Sequence, residues 1–168
     1  MNILQTIDRI SISTSKIVKC LALILSATVL FEVGARYLFG RPTLWAFDVT
    51  MFLYSAFFML GAAWVLQEQK HIRIDVFYNM FPKRVRAIVD IFFYILFLFP
   101  LAGVMIWYGT QMTYDSWLSG EISNTSQWGE KIYLWRAIIP VSFFLLFLQG
   151  IAEFIRTLNK LWGDTHGS

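Results

Sequence analysis

Residues 31–48 read FEVGARYLFGRPTLWAFD, and within this stretch one long apolar run ends and another begins. Upstream, Ile17 to Leu38 is mostly apolar and meets the requirement of about 20 residues for a helix to cross a hydrocarbon core. Downstream, Phe47 to Leu66 meets it again. Between them Gly40-Arg41-Pro42 is a short turn: glycine supplies unusual backbone angles and proline cannot continue a helix. Two membrane-length helices joined by a tight turn set the class of the protein. The same stretch brings Glu32, Arg36, Arg41 and Asp48 to or near hydrocarbon depth, where an ionised group is costly.

The rest of the chain agrees. Ile88 to Thr113 and Ile132 to Ile155 are two more runs of spanning length. Hydrophobic residues make up 57% of the 168, charged residues only 15%, and the mean hydropathy is +0.57. A soluble domain carries about 25% charged residues, so this apolar surplus belongs in lipid. The reading is an all-α membrane protein, a single domain over residues 1–168, with spans at about 17–38, 47–66, 88–113 and 132–155. Arg9, Lys16 and Lys19 ahead of the first run resemble a secretory leader, but the run exceeds the roughly 7–15 residues of a leader core. It reads as a retained anchor.

Lys and Arg fix the orientation. Ten fall at one set of ends and loops, including Arg9, Lys70, Arg73, Lys83, Arg84, Arg86 and Arg156, against four on the other, Arg36, Arg41, Lys131 and Arg136. Positive charge accumulates on the cytoplasmic side, so both termini are expected there. Trp45, Trp107, Trp117 and Trp135 then gather near the outer boundary, where indole rings settle. Two short amphipathic helices are expected on the inner surface. One covers about 2–16, with Ile3, Ile7, Ile10 and Thr14 at helical spacing; the other covers about 75–81, between the cap Asp75 and the breaker Pro82.

The membrane charges have bland readings beside functional ones. Glu32 and Arg36 lie four apart, on one helix face, and can neutralise each other. Asp48 can cap the second span and meet its positive dipole end, with Arg36 or Arg41 within reach across the turn. Asp90 beside Arg86, and Gln149 and Glu153 beside Arg156, also read as structural pairs near the inner boundary. Pro100 is expected to kink the third span, and small residues from Ser55 to Ala63 give the second span a smooth face. Cys20 reads as a small buried hydrophobe. His71 and His166 lie outside the spans, so no intramembrane histidine pair is available for haem, and no phosphate loop, zinc motif or catalytic triad spacing is present. The net charge of +3 serves topology and implies no nucleic acid.

Three segments taken together, RYLFGRPTLWAFD, LGAAW and HIRIDVF, resemble the small membrane subunit of tripartite ATP-independent periplasmic (TRAP) transporters. The residues that carry the resemblance are Arg36-Tyr37 at the end of the first helix, Pro42, Trp45 and Asp48 at the start of the second, and His71, Ile72, Arg73 and Asp75 in the cytoplasmic loop. Where the family commonly has Glu, this chain has Asp48.

The resemblance implies an inner-membrane heteromer. A large membrane subunit would carry the substrate and sodium sites, and a periplasmic binding protein would deliver an organic acid of the dicarboxylate or sialic acid type. The small subunit would enlarge the static scaffold, help receive the binding protein, sit in membrane lipid and hold no cofactor of its own. On this reading Glu32, Arg36, Arg41, Trp45 and Asp48 form a structural cluster toward the partner, while His71, Arg73 and Asp75 order the cytoplasmic loop. The rival reading is a self-sufficient four-helix proton-coupled exporter, which would need Glu32 free to exchange protons. A membrane anchor for a redox enzyme is a third reading, opposed by the histidine positions.

Overall fold

The computed structural model describes residues 3–67, 82–123, 129 and 131–165. All regular structure among them is helical: α1 (Ile3–Leu38), α2 (Ala46–Gln67), α3 (Lys83–Phe93), a π turn (Tyr94–Leu98), α4 (Phe99–Ser119) and α5 (Tyr133–Thr165). Among the described residues four stretches are long and apolar enough to cross a membrane: Leu4–Leu38, Ala46–Leu66, Arg84–Ser119 and Tyr133–Asn159. The third of these joins α3, the π turn and α4 into one continuous span. The expected amphipathic helix at 75–81, with His71, Arg73 and Asp75, lies outside the described residues.

The four spans do not form a closed bundle. α1 packs on α2, α2 on α5, and α5 on the third span, while α2 and the third span stand on either side of α5 with little contact between them. The order across the membrane is therefore a row. A row buries little: Ala46, Leu53, Ala56, Ala63, Leu66, Ala102 and Ala152 are among the few buried apolar side chains, mostly small ones that let helix axes approach. Leu23, Leu30, Phe58, Phe97, Trp107 and many others point outward, which costs nothing when the solvent is hydrocarbon.

The N-terminal segment departs from the sequence reading. It is not a separate surface helix but the first part of α1, whose 36 residues extend over about 54 Å, well beyond a hydrocarbon core of about 30 Å. Its apolar side is the exposed one. Ser11, Thr14, Ser15 and Val18 are buried, while Ile10, Ile12 and Ile17 are exposed. In lipid the polar side needs protein partners and the apolar side does not, so the amphipathic helix faces inward with its hydroxyls. Cys20, expected to be buried, is exposed on α1 for the same reason.

Pro100 deforms the third span by a specific route. Proline has no N–H and crowds the carbonyl four residues earlier, so the α-helical ladder cannot run through it unchanged. The chain inserts the π turn Tyr94–Leu98 directly ahead, with the Phe99 N–H donating to the Tyr94 carbonyl five residues back. The bulge presents Leu98 to α5, where Gly150 leaves room: a Cβ at Gly150 would lie 2.5 Å from Leu98 Cδ2. Farther out, Gly109 meets Pro140 of α5, where a Cβ would lie 3.1 Å from the proline Cδ. Two glycines thus set how closely the third span approaches α5.

Candidate functional site at the outer turn

α1 ends at Leu38, and Gly40, at φ 63°, lets the chain turn back so that the Arg41 N–H donates to the Ala35 carbonyl at 3.1 Å. α2 starts a few residues later, with the Val49 N–H on the Trp45 carbonyl at 3.0 Å. Glu32 is the hub of this turn. Its Oε1 accepts from the Arg36 guanidinium at 2.8 Å, and its Oε2 accepts from the Thr43 backbone N–H at 3.2 Å and from the Thr43 hydroxyl. The carboxylate therefore ties the end of α1 to the entry of α2 across eleven residues of chain. Trp45 stacks on Phe31 with ring centroids 5.8 Å apart, fastening the same two segments on their apolar side.

Four of the five residues expected to cluster here bear on the hairpin. Glu32 and Arg36 form an ion pair, Trp45 makes the ring contact, and Asp48 is buried at 2% exposure in the first turn of α2. Arg41 is exposed, and its backbone rather than its guanidinium closes the helix end. Thr43 was missed. Its signal was the Thr after Pro42, ahead of a helix start, a position that favours side-chain to backbone bonding. Glu32, Arg36, Ala46 and Thr50 line a small open hollow of about 290 Å³ beside the turn. Among the described residues no group of three metal-ligating side chains comes together.

At the opposite end, a second polar cluster joins the chain termini. Arg156 of α5 pairs with Asp8 of α1 and with Glu153, Gln149 donates to Glu153 at 3.3 Å and to Asp8 at 3.4 Å, and the Ser11 hydroxyl donates to Gln149 at 2.8 Å. Gln149 and Glu153 are almost completely buried. The Glu153–Arg156 pair was legible from spacing; the contribution of Asp8 and Ser11, more than 130 residues away, was not. A third clasp lies in the outer loop, where Arg136 binds Glu121 at 2.8 Å and also the Ser116 hydroxyl. Ile122 and Lys131 bridge there in antiparallel fashion.

These clusters hold helices in place, and none presents a set of groups poised for bond chemistry. Residues 25–160 match the family described as tripartite ATP-independent periplasmic transporters, DctQ component. The chain belongs to this family. Two similar proteins are known from Vibrio cholerae serotype O1. The C4-dicarboxylate TRAP transporter small permease protein DctQ is 36% identical over 57 residues, covering 34% of this chain and 25% of that protein. The sialic acid TRAP transporter small permease protein SiaQ is 22% identical over 82 residues, 49% of this chain and 47% of that protein. The matched region thus spans between a quarter and a half of these relatives' length. This DctQ-component chain thus carries, among the described residues, four helices long and apolar enough to cross a membrane.

Proposed function

We propose that this chain is the auxiliary membrane subunit of a sodium-driven TRAP transporter for an organic acid of the dicarboxylate or sialic acid class. In this reading it binds a large membrane subunit that carries the substrate and sodium sites. It widens that subunit's static scaffold and helps receive a periplasmic binding protein at its outer edge. The observation that carries the reading is the open row of spans in a DctQ-family chain. Such a row leaves broad apolar faces for a membrane partner.

The outer turn supports the same role. Glu32, Arg36, Thr43 and the Phe31–Trp45 stack lock the α1–α2 hairpin, giving a partner a fixed edge to dock on. A Glu32 engaged by both Arg36 and Thr43 is ill placed for the proton exchange that a stand-alone exporter would require. His71, Arg73 and Asp75 are proposed to order the cytoplasmic loop.

The test is purification of the chain from its native membrane in mild detergent, with mass spectrometry of the proteins that accompany it. A large polytopic protein at near one-to-one ratio is the expected result. A homo-oligomer that transports by itself in vesicles would overturn the proposal. Arg36→Ala should lower partner recovery or sodium-dependent uptake, and a variant that leaves both unchanged would remove the outer turn from the interface.

A further inference from the structure

The outer turn carries apolar surface that the α1–α2 lock does not use. Tyr37 (79% exposed), Leu38 (81%) and Phe39 (75%) are the three most exposed large apolar side chains among the described residues, and they are consecutive. Leu44, on the other limb of the turn, is 62% exposed.

Position decides what can cover this patch. Residues 39–45, between the end of α1 and the start of α2, are not helical. Irregular backbone cannot face lipid within the hydrocarbon, because its N–H and C=O groups would lose water without gaining partners. If the turn lay at hydrocarbon depth, its backbone would need protein against it. If it stands above that depth, Phe39 and Leu44 are exposed where acyl chains do not reach, and apolar surface there also calls for protein. Both cases point to a polypeptide rather than to lipid. Tyr37 and Leu38 belong to the last turn of a membrane span, so a polypeptide that covers them together with Phe39 is itself set in the membrane.

Charge says what that polypeptide offers. Arg36 and Arg136 each pair with an acid of this chain, but the exposed Arg41 guanidinium meets no acceptor among the described residues. Lys and Arg are depleted on the outer side of membrane proteins, which makes an outer arginine with no counter-charge of its own a marked feature. A guanidinium two residues from an exposed Phe has the make-up of an interface anchor, where Arg and aromatic side chains are enriched. Its planar fork fits a carboxylate through two parallel hydrogen bonds.

On the auxiliary-subunit reading, on which this rests, we propose that Tyr37, Leu38, Phe39 and Leu44 are the outer contact patch for the large membrane subunit, and that Arg41 anchors the contact on an Asp or Glu carboxylate of that subunit. The bonds of Glu32 to Arg36 and Thr43 hold the turn in one shape, so the patch is preformed and little ordering is lost on docking. The hollow of about 290 Å³ bordered by Arg36, Tyr37 and Phe47 gives one further side chain of the partner a seat.

The test uses the complex extracted from the native membrane in mild detergent. Arg41→Glu sets like charge against the acid and should cut recovery of the large membrane protein about tenfold. Thermal unfolding of the chain should stay unchanged, since the guanidinium holds nothing among the described residues. Lys131→Glu, the same change of charge in the other outer loop, should leave recovery as it is. Arg41→Lys should keep recovery too, and a water-soluble carbodiimide should then join its amine to an Asp or Glu of the large membrane protein as an amide, with loss of water, mapped by mass spectrometry. Phe39→Ser should lower recovery by itself, and it decides the matter if Arg41→Glu fails to fold.

Unchanged recovery in Arg41→Glu or in Phe39→Ser, an equal fall in Lys131→Glu, or no carbodiimide product with the large membrane protein would each overturn the inference and leave the auxiliary role standing. So would a carbodiimide product only on a soluble periplasmic protein or on a phospholipid phosphate, which would assign the patch to that neighbour. A wild-type chain that brings down no large membrane protein would overturn both.

Discussion

Single side chains in this protein are best understood by asking where their hydrogen bonds go. Most hydroxyls in the spans bond back to their own helix: Thr14 to Ile10, Ser26 to Ala22, Thr28 to Ile24, Thr110 to Ile106 and Thr157 to Glu153. Ser142 is buried at 3% exposure and its hydroxyl has no partner among the described residues. Leaving a buried donor unmade costs about 1–3 kcal/mol, so Ser142→Ala should leave the melting temperature in detergent unchanged or raise it. A clear fall would mean that the hydroxyl has a partner in the membrane. Gly40 is the opposite case. It meets no neighbour, yet its φ of 63° is a conformation that costs other residues about 1–2 kcal/mol. Gly40→Ala should therefore lower stability by about that much through strain alone, read from thermal unfolding of the intact chain. Thr43→Val should also destabilise, because it removes one of two Thr43 donors to Glu32 while keeping the shape. Gly40 and Pro42 advertise their roles in any sequence. Thr43 does not, because its importance comes from a carboxylate eleven residues away.

Elements are where reading from sequence did well and then met its limit. All four spans and the short outer turn follow from run length and turn chemistry, since no soluble alternative exists for a chain this apolar. Pro100 gave away a disturbance in the third span. It did not give away the π turn, because the form of the relief depends on what faces it. Here Gly150 faces it and accepts Leu98. A methyl group at position 150 would sit within 2.5 Å of Leu98 Cδ2, too close without movement. Overpacking of this kind costs about 1–3 kcal/mol, and Gly150→Ala should lose stability in that range. Because the obstacle is the end of one side chain, Leu98→Ala in the same molecule should recover part of the loss. The two substitutions would then be less damaging together than their sum, and a simple sum in thermal unfolding would show that the contact does not set the helix separation. The inward-facing hydroxyls of α1 were not legible in the sequence for a related reason. Periodicity finds the two faces of a helix, but only the solvent on each side says which face turns inward.

At the scale of the whole molecule, a row of helices in lipid poses a problem that a closed bundle does not. With no hydrophobic force between helices, the end members are held only by packing and by polar contacts. α1 is such an end member. It lies on α2 along its length, and it reaches α5 at the inner side through Asp8 and Ser11. The contact turns part of the row into a triangle of α1, α2 and α5, braced at one end. Gln149, buried in that brace, donates to Asp8 and accepts from Ser11 at the far end of the chain, while the buried Glu153 accepts from Gln149 and Arg156 on its own helix, so losing Asp8 or Ser11 strips a partner from an amide that cannot reach water. Asp8→Asn and Arg156→Gln should each destabilise the chain. Because the two residues share one contact, the double variant should be less destabilised than the sum of the singles, by about 0.5–3 kcal/mol. The measurement is a double-mutant cycle by thermal unfolding in detergent, with hydrogen exchange of residues 4–15 as the local readout. If the brace acts as argued, both single variants should speed exchange in that segment and leave the Glu32–Arg36–Thr43 turn protected, since the two clusters lie at opposite ends of α1. Additive effects, or equal loosening at both ends, would mean that α1 is held by its packing on α2 alone.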